Sequence, residues 1–156
     1  MSEQPGTYAI SQTVKVKRLT PEAHMPFYAT AGAAAFDLAA TNSGVVPAGG
    51  SAEFDTGLAF EIPPGHALLL NSRSGHGFKH GIRNALSQGI LDSDYRGEAR
   101  IKLHNDSDTD FEVKAGDRIA QALVVAAPQF QLVEVDELSE TARGEGGFGS
   151  TGNQVN

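Results

Sequence analysis

The sequence predicts an all-β fold, a sandwich, barrel or jelly roll, and three observations carry that expectation. Short apolar runs alternate with polar residues at a period of two. Turn chemistry interrupts them every few residues. No stretch of three helical turns keeps a steady 3.6-residue period. The 18 Gly and 7 Pro among 156 residues, with no Trp, suit many short elements joined by turns.

The alternation begins at Val14-Lys15-Val16-Lys17, a short half-buried strand. Further strand-like runs lie at 36–38, 52–54, 58–62, 67–70, 99–104, 111–113, 119–125 and 130–135. Pro47-Ala48-Gly49-Gly50, Pro63-Pro64-Gly65, Asn105-Asp106-Ser107-Asp108 and Lys114-Ala115-Gly116-Asp117 separate them with turn residues. Between 72 and 81 there is room for one short helical turn, with Ser74 as its expected cap. Residues 1–13 are polar and aperiodic, a flexible lead-in to a single domain over 14–141. Residues 142–156 differ in kind, with five Gly in positions 143–152 that cannot pack a core. That tail reads either as a disordered end or as a clamp that orders on a ligand, since it carries an Arg, a Phe, two hydroxyls and many free backbone N–H groups.

Composition removes several function classes. A formal charge of −7 argues against coating nucleic acid through phosphate neutralisation. The absence of Cys excludes disulfides, thiolate metal sites and cysteine nucleophiles. No apolar run reaches the length of a membrane span, and no basic segment precedes an apolar one at the N-terminus, so a cytoplasmic chain is expected. The five His show no metal-ligand spacing such as H-E-x-x-H, and neither a G-x-S-x-G elbow nor a Walker-type phosphate loop is present. Eight of the 12 Lys and Arg fall within 73–118. A local positive site inside an acidic protein suits a small polyanion.

Two segments could carry chemistry. Asn71-Ser72-Arg73-Ser74-Gly75-His76-Gly77 puts a guanidinium, hydroxyls and Gly after an apolar strand, a cradle for phosphate or an ordinary strand-to-helix turn. Gly89-Ile90-Leu91-Asp92-Ser93-Asp94-Tyr95-Arg96-Gly97-Glu98 puts two carboxylates on one face of an extended segment, beside a Tyr. An Asp there could deprotonate a water, or the segment could be a solvated acidic hairpin.

Taken together and in order, five segments resemble the trimeric dUTPases, the dUTP nucleotidohydrolases. They are residues 33–40, with Phe36-Asp37-Leu38; Ser72-Arg73-Ser74-Gly75 with Lys79-His80-Gly81-Ile82; residues 89–98; Gly116-Asp117-Arg118-Ile119-Ala120-Gln121; and residues 143–152. The resemblance extends from about Val14 to Gly152. It implies a jelly-roll β-barrel homotrimer whose active sites lie between subunits, with the C-terminal arm of one chain closing a neighbouring site. By that resemblance Asp92 orients and activates the water that attacks the α-phosphate of dUTP, giving dUMP and pyrophosphate. Tyr95 packs under the deoxyribose. Arg73, Ser74, Gly75 and Gln121 contact phosphates. Ile90 and Leu91, with the position of Leu86, belong to the hairpin whose main chain reads uracil, and Arg100 lines the site. From the arm, Arg143 reaches the γ-phosphate, Phe148 stacks on uracil, and Gly149, Ser150 and Thr151 add polar contacts. Asp37 and Asp117 support the site. Mg²⁺ is the implied cofactor, held mainly by the triphosphate and water. No nucleic-acid or membrane partner is implied.

The resemblance breaks at Leu86, where the family usually carries Asn, with Asn84 and Gln88 two residues to either side. Two other readings share the scaffold. A dCTP deaminase would need a catalytic Glu at the position of Lys102, where an ammonium cannot serve. A non-catalytic regulatory protein would not need Asp92, Tyr95 and the arm together.

Overall fold

The computed structural model describes residues 12–147. Phe148, Gly149, Ser150 and Thr151 lie outside the described residues. Along the chain run β1 (Lys15–Arg18), β2 (Phe36–Ala39), β3 (Gly44–Val46), β4 (Ser51–Phe54), β5 (Leu58–Glu61) and β6 (His66–Asn71). After α1 (Ser74–His80) come β7 (Ile82–Asn84), β8 (Gly89–Leu91), β9 (Ile101–Asn105), β10 (Phe111–Val113) and β11 (Arg118–Ala126).

All strand pairs are antiparallel. The larger sheets have the orders β2-β11-β6-β8 and β4-β9-β7, and the pairs β1-β5 and β10-β3 complete the barrel. Inward residues from both larger sheets and both pairs meet in one core, with Leu38, Phe54, Leu58, Leu68, Ile82, Ile101, Leu103 and Ile119 fully buried. The alternation read from sequence is visible in β9, where Ile101, Leu103 and Asn105 face in and Lys102 faces out. Asn105 is tolerated there because its Nδ2 donates to the carbonyls of Val46 and Thr109.

Three expectations need correction. Residues 130–135 form no strand, and Phe130, Leu132, Val133 and Val135 are exposed. Their alternation is real, but β11 ends at Ala126, and Pro128 follows with no N–H for a ladder. No described strand pairs with this segment. The helix cap is Arg73 rather than Ser74, in extended geometry and without a side-chain cap bond. Three strands of three residues, β3, β7 and β8, appear where the pattern was too short to read.

β11 carries a bulge that positions the site. Arg118 pairs with Ala39, yet Ala120 pairs with Leu38 and Gln121 with Asp37. An unbroken ladder would set Ala120 opposite Asp37. The extra residue instead delivers Gln121 between Asp37 on β2 and its other register partner, Asn71 on β6.

Candidate active site

That row across the sheet is the foundation of an anion cradle. Asp37 accepts from Arg73 Nε at 3.0 Å through one oxygen and from Arg118 Nη1 at 2.9 Å through the other. The Asp37 side chain is 13 % exposed and that of Arg73 25 %, so the triad is partly withdrawn from screening water. Two guanidiniums share one carboxylate, which leaves an excess positive charge. Arg73 also donates through Nη1 to the Arg118 carbonyl at 3.1 Å. Each guanidinium has five N–H donors, so both keep donors for a ligand. Gln121 Nε2 donates to the Ser72 carbonyl at 2.9 Å and so fixes the chain just before Arg73.

The first turn of α1 follows directly. Its leading N–H groups, those of Ser74 and Gly75, have no carbonyl one turn earlier within the helix to accept them. With no side chain capping the end, they remain for an anion. Gly75 has no atom within 4 Å of the place a Cβ would occupy, so the approach over it is open. The helix ends at Gly81, whose φ of 67° is the left-handed cap that glycine adopts at no steric cost. His76 packs against Phe111 with ring centroids 5.5 Å apart, and its Nδ1 is buried without a partner. Burial pushes its pKa below the ordinary value, and Arg73 and His80 push the same way. His76 therefore stays neutral near pH 7, and the positive charge here belongs to arginine.

A second constellation is built around Asp92. β8 pairs with β6, Gly89 opposite Leu70 and Leu91 opposite Leu68. A Cβ on Gly89 would meet the Leu70 side chain at 3.1 Å, so this leg of the hairpin lies tight on the barrel. The chain then turns, with Tyr95 N–H donating to the Asp92 carbonyl at 3.1 Å. Tyr95 Oη donates to the Glu98 carbonyl at 3.2 Å, and the ring lies over Gly97, where a Cβ would meet Tyr95 Cζ at 2.5 Å. Glu98 in turn accepts from Gly57 N–H at 2.6 Å, and Ala99 N–H bonds the Leu58 carbonyl, which anchors the turn to the barrel. Asp92 is exposed, and among the described residues nothing pairs with its carboxylate. Asp94, two residues on, is likewise exposed and unpaired among the described residues.

These two constellations lie beyond opposite ends of the β6–β8 pairing: Arg73 follows Asn71 at the end of β6, and Asp92 follows Leu91, which stands opposite Leu68. Ile90 and Leu86 are exposed on the hairpin, while Leu91 is half-buried. Arg100 joins neither group. Its Nε and Nη2 are taken by Asp55 at 3.0 Å and Glu53 at 2.8 Å, carboxylates beside or on β4 in the other sheet. Arg143 sits on the exposed tail, and among the described residues its side chain bonds only the Gly146 carbonyl, at 2.7 Å. Asp117 accepts from Lys114 N–H at 2.8 Å and shapes the turn before β11. Among the described residues no group of three His, Asp or Glu is placed to hold a metal ion.

Sequence reasoning singled out Gln121 from its motif and passed over Arg118, the other cation on Asp37. The available signal was Asp37 itself, a carboxylate in the apolar run 33–40 that needs a cation when half-buried.

Comparison with known proteins gives the family. A family model described as dUTPase matches residues 21–152. The deoxyuridine 5'-triphosphate nucleotidohydrolase of Nautilia profundicola is 47% identical over 139 residues, covering 89% of this chain and 98% of that protein. The enzyme of the same name from Oryza sativa subsp. japonica is 44% identical over 153 residues, covering 97% and 88%. Among solved structures, the dUTPase of Staphylococcus bacteriophage 80alpha with dUpNHpp superposes with a TM-score of 0.85 at 29% identity, covering 92% of this chain and 100% of that one. The barrel, the ordered motifs and these likenesses agree: the chain belongs to the dUTPase family.

Proposed function

We propose that the chain hydrolyses dUTP to dUMP and pyrophosphate, with Asp92 directing a water at the α-phosphorus, in sites shared between the copies of a homotrimer. The observation that carries this reading is the pair of finished half-sites, the Asp37–Arg73–Arg118 cradle and the Asp92–Tyr95 turn. They lie beyond opposite ends of the β6–β8 pairing, Arg73 past Asn71 and Asp92 past Leu91, whose partner is Leu68. In this reading the cradle of one copy works with the turn of another.

In the reaction Asp92 accepts a proton as the water oxygen bonds the α-phosphorus. The bond to the bridging oxygen breaks, and pyrophosphate leaves with the electron pair. The guanidiniums of Arg73 and Arg118, Gln121 and the first amides of α1 are fixed before the nucleotide arrives. They stabilise charge on the leaving group without reorganisation. Tyr95, seated on Gly97, packs against the deoxyribose and leaves no room for a 2′-OH. The main chain of the hairpin holding Leu86, Ile90 and Leu91 matches the O2, N3–H and O4 edge of uracil. Cytosine would leave that edge mismatched.

Mg²⁺ fits this site as a companion of the nucleotide. It favours oxygen ligands and retains water, which the triphosphate supplies, while the chain's own donors here are guanidiniums, amides and separate carboxylates. When bound it neutralises phosphate charge.

The exposed alternation Phe130, Leu132, Val133 and Val135, with Leu138, supports a connection that lies along a neighbouring copy. That path would deliver the arm, with Arg143, Phe148, Gly149, Ser150 and Thr151, to the neighbour's nucleotide. Arg100 would line a site only from the neighbour's side. Lys102, 3.9 Å from Glu53, speaks against deamination. The same reading assigns the enzyme to the cytoplasmic nucleotide pool, limiting uracil in DNA and supplying dUMP for dTMP synthesis. The test is incubation with dUTP and Mg²⁺. Pyrophosphate and dUMP are expected, with little turnover of dCTP, dTTP or UTP. Absence of pyrophosphate from dUTP would refute the reading.

A further inference from the structure

We infer that Asn84 is a positioning residue for uracil discrimination, holding the loop at 85–88 against the barrel through its buried carboxamide. The inference rests on the proposed dUTP hydrolysis and deepens it. Asn84 shares the inward face of β7 with Ile82 and is only 3 % exposed, a position that suits an apolar side chain. A polar group there costs free energy unless it is satisfied. All of its polar groups are used. Nδ2 donates to the Leu70 carbonyl at 3.2 Å, and Oδ1 accepts from Leu86 N–H at 3.1 Å. The Asn84 N–H donates to Ser72 Oγ at 2.7 Å, and its carbonyl accepts from Ser87 N–H at 3.1 Å.

The placement gives these bonds a mechanical role. The two legs of the hairpin belong to different sheets, because β7 pairs with β9 and β8 pairs with β6. The loop therefore lacks the ladder that would normally hold two hairpin legs together. Leu70 is the register partner of Gly89, so the Asn84 carboxamide reaches the same residue that grips the other leg. The tie closes the hairpin through β6. Inside it the loop is compact: Gln88 N–H donates to the Leu86 carbonyl at 2.7 Å, and Ser87 adopts a φ of 62°. Gln88 Nε2 donates to Asn71 Oδ1 at 2.8 Å, a second clasp to β6. Leu86 itself is 68 % exposed and contributes its N–H rather than its side chain. Leu86 has no carboxamide to offer this loop, and Asn84 supplies one from two residues earlier. Backbone groups that read a base edge discriminate only while they are fixed, and Asn84 fixes them.

The test compares kcat/KM for dUTP with kcat/KM for dCTP in the full-length enzyme. Asn84→Leu, which keeps the branching of the side chain and removes both of its bonds, is expected to lower that ratio about tenfold. kcat for dUTP should change less than threefold, because the phosphate cradle is untouched. Asn84→Asp keeps the acceptor for Leu86 and faces an anion toward the Leu70 carbonyl, and it too should lower the ratio. An unchanged ratio in either folded variant, or equal losses for both nucleotides, would overturn the inference. Amide exchange in the unmodified enzyme gives an independent reading, since Leu86 N–H should be protected although its side chain is exposed. Exchange at the free-peptide rate would overturn it. Failure of the parent reading looks different: the unmodified enzyme would then release no pyrophosphate from dUTP.

Discussion

The two half-sites are built on opposite principles. In the cradle every charged side chain is already engaged: Asp37 has an arginine on each oxygen, and Arg73 holds a carbonyl as well. Around Asp92 the reverse holds. Tyr95 is held within the turn and Glu98 ties the turn to the barrel, while the Asp92 carboxylate, like that of Asp94, is left unpaired among the described residues. Groups that stabilise charge work best when fixed in advance, because reorganising them during the reaction costs free energy. A group that must hold water and accept a proton works only if no cation has claimed it. An arginine beside Asp92 would hold its carboxylate ionised and make it a weaker base.

The contrast can be broken by exchanging the properties of the halves. The largest effect is expected from Asp92→Asn, which keeps shape and removes the base. kcat should fall about 10³-fold while a non-hydrolysable dUTP analogue binds as before in calorimetry. Undiminished pyrophosphate release would remove Asp92 from the chemistry. Next, assemblies re-formed from a mixture of Asp92→Asn and Arg73→Ala chains should recover turnover that neither variant has alone. A mixture as inactive as its parts would mean that one chain supplies both halves. Asp37→Asn makes the cradle more positive but releases both arginines. If positioning outweighs charge, kcat/KM should fall about tenfold; a rise would show that bare charge dominates. Gly97→Ala displaces the Tyr95 ring at a cost of about 1–3 kcal/mol and should lower the preference for dUTP over UTP in competition assays.

The smallest effect concerns pH. His76 has its pKa lowered chiefly by burial, so between its folded value and the ordinary value near 6.5 the unfolded chain binds more protons. Stability contributed by neutral His76 is complete above about 6.5 and is lost as pH falls toward the folded value. His76→Leu should flatten that acid-side loss in thermal melts while leaving Tm at pH 8 nearly unchanged.

Much of this is legible in the sequence alone. Short apolar runs mark β1, β2, β4, β5, β6, β9, β10 and β11 because each sends side chains into or against the core. The ordered motifs name Arg73, Gln121, Asp92 and Tyr95. What stayed hidden depends on partners distant in sequence. The three residues each of β3, β7 and β8 show no pattern of their own, and β7 and β8 reveal themselves only through β9 and β6. The Asp37–Arg118 pair spans 81 positions and becomes visible only through the β2–β11 register. The 130–135 run shows the limit of periodicity, which reports that a face is apolar and not where that face finds its cover.

The bulge in β11 has a lasting consequence for how this protein can change. Excising the surplus residue at 119 would bring every later side chain on that strand one step nearer Arg118, turning apolar groups to solvent and pulling Gln121 away from its row. Nothing short of a compensating insertion would undo the damage. Drift in chain length should therefore accumulate in the surface crossings and almost never here, as in a zip fastener whose teeth must match in number while the cloth on either side is cut to any pattern.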